Sequence, residues 1–230
     1  MREWDGTYGG AGLGTSKASI CEQVLLTTEA ATVANACPGR SALVNVRLGA
    51  NVQYGHLFWG LESSLDFARS GAADVSLASF NNPSSPSGSY TFAGHLQPTA
   101  VAALSTKVGL AGREWNAYLR AGPAAALGAR NGRVSYVPAG STKPSASFEA
   151  TDAYERFGWL AGAGLELGLY GSWSIGVEYT RWVFGGSKSA APCTGTGGGC
   201  NLFPQATLES SSAGFKTGAL LIGLSYYFDY

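Results

Sequence analysis

Val44-Asn45-Val46-Arg47-Leu48-Gly49-Ala50-Asn51-Val52-Gln53-Tyr54 is the stretch whose reading decides the fold. Every even position is apolar or aromatic, and every odd position is polar, charged or Gly. A period of two held over this length describes a β-strand with one wet face and one apolar face. Gly55-His56 follows as a tight turn. Beyond it Leu57, Trp59, Leu61, Leu65 and Phe67 take one face, and Glu62, Ser64 and Asp66 the other. A two-residue turn pairs Tyr54 with Leu57, so even positions oppose odd ones. The two apolar faces then coincide, which is an independent check on the register.

The same grammar recurs outward from this hairpin. Ala102, Leu104, Val108 and Leu110 alternate with Ser105, Lys107 and Gly109. After a short turn near Gly112, Trp115, Ala117, Leu119 and Ala121 alternate with Asn116, Tyr118 and Arg120. Trp159 to Leu169 and, after Tyr170-Gly171-Ser172, Trp173 to Thr180 do the same. Leu220, Ile222, Leu224, Tyr226, Phe228 and Tyr230 share a face at the end, and Trp4, Gly6, Tyr8 and Gly10 share one at the start. This makes about eight strands, joined alternately by short turns and by four segments of roughly 27–30 residues rich in Ser, Gly, Pro and Ala. Trp59, Trp115, Trp173, Tyr54 and Tyr170 gather near the short turns, as an interfacial aromatic girdle would.

Composition narrows the setting. The chain of 230 residues has 33 Gly, and its 15 Lys and Arg balance 15 Asp and Glu, so no global field draws in nucleic acid. No run approaches the roughly 20 apolar residues of a spanning helix. A closed barrel is the other structure that leaves no backbone unpaired in lipid. The plain alternative, a soluble β-sandwich or lipocalin-like barrel, calls for polar outward faces, whereas the outward positions here are Leu, Val, Ala and aromatics. The expected fold is all-β: a single transmembrane antiparallel up-and-down barrel over residues 1–230, with long extracellular loops and short periplasmic turns. An export signal is absent from the opening residues, so Met1 is read as a start placed on a mature chain.

Trp4-x-Gly6-x-Tyr8-x-Gly10, Gly164-x-Glu166, Trp173-x-Ile175-x-Val177-Glu178-Tyr179 and Ile222-Gly223-Leu224-Ser225-Tyr226-Tyr227-Phe228 occur in an order and spacing that carry a resemblance. The chain resembles the opacity-protein-like porin family of small outer-membrane barrels, related in shape to the OmpA transmembrane domain. The likeness covers the strands and none of the long loops. It implies a Gram-negative outer-membrane location, reached by export through the periplasm. It also implies that the terminal aromatics Tyr226, Phe228 and Tyr230 are an assembly signal read by the barrel-insertion machinery. The family's members do different things through their loops, so it implies little about activity.

Eight strands leave an interior just wide enough for side chains to fill. Inward charges are therefore expected to pair. By strand counting Arg47 sits opposite Ser64 and diagonal to Glu62 and Asp66. Lys107 and Arg120 are expected as diagonal neighbours, as are Glu166 and Glu178, which stands two bases beside two acids. An ion-pair plug is the leading reading, because an unpaired buried charge is costly. Inward Gly49, Gly60, Gly109, Gly162, Gly164, Gly168 and Gly176 leave space near the charges, which keeps a narrow pore for small solutes as the alternative.

The remaining chemistry is sparse. Cys21 and Cys37 fall in the first long segment, Cys193 and Cys200 in the fourth. Disulfides are expected from passage through an oxidising compartment, with local pairing the simplest of three connectivities and cross-pairing open because the two loops are adjacent. Glu22 to Ala36 could form a short helix on the rim. Asn81 to Ser89 reads as a loop tip, and Val134 to Val137 with Ser145 to Phe148 either extend the third hairpin or add two strands. Only His56 and His95 are present, and neither lies in a Ser/His/acid motif. Gly197-Gly198-Gly199 lacks the strand-then-helix context of a phosphate loop. No cofactor or metal and no enzymatic activity is expected, a lipid-modifying barrel enzyme being the rival from another class. The partners expected are outer-membrane lipid and lipopolysaccharide and a surface ligand at the loops. The leading function is a structural or adhesive surface anchor.

Overall fold

The computed structural model describes residues 4–19, 22–26, 31–36, 40–69, 88–138, 146–185, 187–192, 207–212 and 215–228, with side chains over 4–17, 40–68, 100–128, 155–185 and 216–228. In chain order the strands are β1 (Gly6–Ser19), β2 (Glu22–Leu26), β3 (Ala31–Ala36), β4 (Arg40–Tyr54), β5 (Leu57–Arg69), β6 (Gly88–Ala111), β7 (Trp115–Pro138), β8 (Ala146–Gly168), β9 (Trp173–Phe184), β10 (Ser187–Pro192), β11 (Thr207–Ser212) and β12 (Phe215–Phe228). Among the described residues, eight of them close a barrel in the order β1-β12-β9-β8-β7-β6-β5-β4. Every neighbouring pair is antiparallel, including β1 with β12 at the seam.

The period-two stretch behaves as its pattern requires. Val44, Val46, Leu48 and Val52 are exposed on the outer wall, while Asn45, Arg47 and Asn51 are buried inside. Tyr54 pairs with Leu57 across Gly55-His56, and Gly55 takes the left-handed φ of 63° that such a turn demands. The outer wall presents Leu, Val, Ile and aromatics to the surroundings, with Leu48 60% and Ile222 60% exposed. That wall is what a lipid solvent selects and what water does not. Tyr54, Trp59, Trp115, Tyr170 and Trp173 all face outward near the short turns, forming the expected girdle.

Two expectations change, and one alternative is decided. Of the expected rim helix, the described residues 22–26 and 31–36 are strand. They supply β2 and β3, an antiparallel pair with Glu22 opposite Ala36, and β11 pairs with the other edge of β2. With β10 these strands make a second, four-stranded sheet in the order β10-β11-β2-β3. The strands satisfy their backbone groups partly on each other and partly, along one edge of β2, on a distant segment that local sequence cannot show. The third hairpin is extended, with Val134 opposite Phe148, and the barrel keeps eight strands and not ten. β6, β7 and β8 run for 24, 24 and 23 residues, about twice a spanning length, so much of the presumed loop is strand. Gly88 and Ser89, expected in a loop tip, begin β6.

Candidate functional site: a charged layer inside the barrel

The inward phase of six strands brings ionisable side chains to one level of the lumen. Glu62 on β5 lies opposite Ser105 on β6, and Lys107 on β6 lies directly opposite Arg120 on β7. Glu166 on β8 and Glu178 on β9 face Gly176 and Gly164 respectively, so they are diagonal neighbours. Arg47 on β4 is opposite Ser64. All of these charged groups are at most 5% exposed.

Two carboxylates organise the layer. Glu62 accepts from the Tyr8 hydroxyl at 2.6 Å, from Lys107 Nζ at 3.3 Å and from Arg120 Nη1. Glu178 accepts from Tyr118 at 2.7 Å, from Thr180 at 2.6 Å, from Arg47 Nη1 at 3.4 Å and from Arg120 Nη2 at 2.6 Å. Arg120 thus spans the two acids. Glu166 lies 3.6 Å from Lys107 Nζ and accepts from Tyr227 at 3.0 Å and Ser174 at 3.3 Å. The Lys107 ammonium also sits 3.9 Å from the centre of the Tyr118 ring, a cation–π contact in a desolvated place. Arg47, Lys107 and Arg120 therefore match Glu62, Glu166 and Glu178, charge for charge. Such a network is stable only because its members satisfy one another, since loss of one leaves a buried charge unpaired.

The strand-counting expectations are right about the layer and wrong about some partners. Lys107 and Arg120 are direct partners, not diagonal ones. Residues 112–115 close a four-residue connection, with Gly112 N bonded to Trp115 O, and that length sets the register. Like charges directly opposite are unfavourable, and Glu62 from the neighbouring strand offsets this by bonding both. Arg47 reaches across the lumen to Glu178 and not along its own hairpin. Asp66 is bonded by Asn45 Nδ2 at 2.8 Å and stands apart from the ion pairs.

Apolar clusters lie on either side of this layer. At the short-turn end Trp4, Tyr8, Phe58, Ala111, Tyr118 and Tyr227 form a buried cluster, with Tyr8 stacked on Tyr227 at 5.2 Å. Toward the long segments Leu43, Leu160, Trp182, Phe184 and Leu221 pack with several Ala. Several inward glycines lie hard against neighbouring groups. A Cβ on Gly49 would come within 2.5 Å of the Tyr8 hydroxyl and ring, and one on Gly164 would meet Tyr118 in the same way. Gly49, Gly109 and Gly164 seat the rings of Tyr8, Phe58 and Tyr118, while Gly60, Gly162 and Gly176 lie against Asn51, Thr180 and Glu166.

Tyr8, Tyr118, Thr180, Ser174 and Tyr227 belong to the network without having been singled out, and Arg156 is a further buried cation. Tyr118 already stood on the inward phase in the sequence, so alternation alone could have added it. At the chain's end Trp173, Tyr226 and Phe228 make edge-on ring contacts of 5.1 and 5.5 Å. Tyr230 lies outside the described residues, as do Cys21, Cys37, Cys193, Cys200 and Gly197-Gly198-Gly199. His56 sits in its turn with Nδ1 3.2 Å from the Ala111 carbonyl, while the side chain of His95 is outside the described set.

Comparison with known proteins agrees with this architecture. A model of the outer membrane protein beta-barrel domain matches residues 2–228. No curated protein matches the chain in sequence. Among solved structures, the outer membrane protease OmpT from Escherichia coli aligns over 97% of both chains at 9% identity and a TM-score of 0.51. OprG from Pseudomonas aeruginosa aligns over 98% of both chains at 10% identity and 0.44. Ail of Yersinia pestis, in complex with the heparin analogue sucrose octasulfate, aligns over 97% of this chain and 99% of its own at 11% identity and 0.37. Identities this low speak to fold and to nothing finer.

Proposed function

Because the chain belongs to the outer membrane protein beta-barrel domain family, and so lies in the Gram-negative outer membrane, we propose that its barrel is a closed anchor for surface contacts made by the long segments. The observation that carries this reading is the filled lumen. Glu62 is 0% exposed and held by three donors, and apolar clusters cover its layer on both sides. A conducting path would have to break that network. The second sheet supports the other half of the reading, since β2 and β11 join the first and last long segments into one hydrogen-bonded unit. A paired platform holds a contact surface at lower entropic cost than free loops do.

Planar-bilayer recording of the refolded full chain tests the anchor. The expected result is no stable single-channel current. Steady currents that shift with Arg120→Met would replace the anchor by a narrow pore. The lipid-enzyme alternative is separated by mass spectrometry of membrane lipids after expression, where the anchor predicts no new species.

Two disulfides, Cys21–Cys37 and Cys193–Cys200, are part of the proposal. The sequence neighbours of the first pair, Glu22 and Ala36, are cross-strand partners, which supports local closure there. Peptide mapping without reduction should recover each as its own cross-linked fragment, and a cross-loop fragment would refute the pairing. Tyr226, Phe228 and Tyr230 are the proposed assembly signal for the insertion machinery.

A further inference from the structure

We propose that Lys17, Arg40, Arg181 and Lys216 form, on the outer wall of the barrel, a binding site for the phosphate groups of an outer-leaflet glycolipid. This rests on the outer-membrane placement and is independent of what the long segments contact.

The four cations come from four consecutive strands of the wall, β4, β1, β12 and β9. Lys17 lies opposite Arg40 on one side and opposite Gly218 on the other. Arg181 is also opposite Gly218, and Lys216 lies two residues from it on β12. At the usual strand spacing the four positions span only roughly 15 Å across the wall. All four side chains are exposed, on the outward phase. Between them lies a concavity of about 550 Å³, lined by Thr15, Lys17, Arg40, Tyr179, Arg181 and Lys216.

Gly218 makes this hollow. A Cβ there would come within 2.7 Å of the Tyr179 hydroxyl, so any other residue would displace the ring and fill the centre. Tyr179 thereby brings a hydroxyl donor into the middle of the cations. Two guanidinium forks, two ammonium groups and one phenol around a hollow are a fitting donor set for a phosphate monoester, whose oxygens accept several charge-assisted bonds at once.

Position selects a lipid as the source of that phosphate. Immediately toward the short turns, Leu13, Val44, Leu220 and Ile222 are exposed and begin the apolar belt. Short turns mark the periplasmic rim in barrels of this kind, so the cations border the outer leaflet. A glycolipid seated here places its acyl chains on the belt and its phosphate in the hollow. Among the described residues none of the four cations has an acidic partner, and the exposed acid on the adjoining β8, Glu155, lies six residues along from Ala161, the partner of Arg181, or roughly 20 Å. The inward Arg47, Lys107 and Arg120, by contrast, are each ion-paired.

The test titrates the full chain, refolded in detergent micelles, with bisphosphorylated lipid A, with the same lipid stripped of both phosphates, and with lipid A in the presence of millimolar inorganic phosphate. Native mass spectrometry reads bound lipid, and heat-modified gel mobility confirms folding. The fourfold variant Lys17→Gln, Arg40→Gln, Arg181→Gln, Lys216→Gln should bind lipid A at least about tenfold more weakly. Arg113→Gln, on the opposite rim, should leave binding unchanged. Removing the phosphates should reduce wild-type binding to the level of the fourfold variant. If the fourfold variant does not fold, Arg40→Gln with Arg181→Gln should weaken binding several-fold. Equal binding by folded variant and wild type, or equal binding of the two lipids, would overturn the proposal. Displacement by inorganic phosphate would assign the hollow to free phosphate and overturn the lipid reading. None of these results bears on conductance, so the anchor reading stands or falls separately.

Discussion

Arg40 and Arg47 sit on the same strand seven residues apart, and they live in different solvents. The odd separation puts them on opposite faces. Arg47 is 5% exposed and ion-paired with Glu178 across the lumen, while Arg40 projects outward among other cations at the edge of the apolar belt. The same contrast divides Lys107 from Lys17. Residue type therefore says little here, and parity along the strand says nearly everything. Inside, a cation holds the fold together and is silent toward the outside. On the wall, a cation contributes little to the fold and is free to bind.

The comparison is broken most severely by removing an inner cation. Arg120→Met removes the cation that Glu62 and Glu178 share, leaving three buried carboxylates to Lys107 and Arg47, and should lower unfolding stability by about 3–5 kcal/mol. Adding Glu178→Gln to that variant should recover part of the loss, because the buried cations and carboxylates of the layer are then again equal in number. Urea unfolding in lipid vesicles measures both, and an unperturbed midpoint for Arg120→Met would mean a hydrated lumen.

Next in size is the reverse intrusion, a cation placed where lipid belongs. Leu48 is exposed on the wall in the middle of β4, and Leu48→Arg should cost about 2–4 kcal/mol there. Thr15→Arg, beside the outer cations, should cost only about 0–1 kcal/mol by the same depth dependence. Equal refolding yields for the two variants would put the belt in the wrong place.

A smaller effect tests how tightly the interior is filled. Gly49→Ala drives a methyl group against the Tyr8 ring and strains its bond to Glu62, for about 1–3 kcal/mol. An unchanged unfolding midpoint would show that the ring has room to move. The smallest effect belongs to the wall. Arg40→Gln with Arg181→Gln should leave the unfolding midpoint within error of wild type and change lipid binding alone. A large stability loss would erase the distinction between the two sets of cations.

These two sets differ too in how readable they were. The faces of the strands were legible because a barrel imposes a strict period of two, as at Val44 to Tyr54, and that rule placed Arg47, Glu62, Lys107, Arg120, Glu166 and Glu178 inside. Their partners were not legible. Arg47 meets Glu178 only because the sheet closes on itself, and Lys107 meets Arg120 because residues 112–115 form a connection of a particular length. Glu22 to Ala36 read locally as a helix although β2 and β3 pair with each other, because the sheet they belong to is completed by β11, far along the chain. The glycines misled for a related reason. An inward Gly marks a gap in its own strand and says nothing of the ring that a neighbour, such as Tyr8 or Tyr118, lays into it.

The pairing of β2 with β11 has a bearing on how the molecule is made. β1 and β12 meet only after the whole chain has been threaded through, and theirs is the join that turns a curled sheet into a cylinder. β2 follows β1 and β11 precedes β12, so the ladder between Val24 and Ser210 forms beside that join and nowhere else. It is a clasp fastened over the zip. Both contacts bridge nearly the full length of the chain, so they are formed late and at the greatest loop-closure cost. Once made, each holds the ends that the other needs, and a chain whose clasp is fastened is one whose cylinder has already shut.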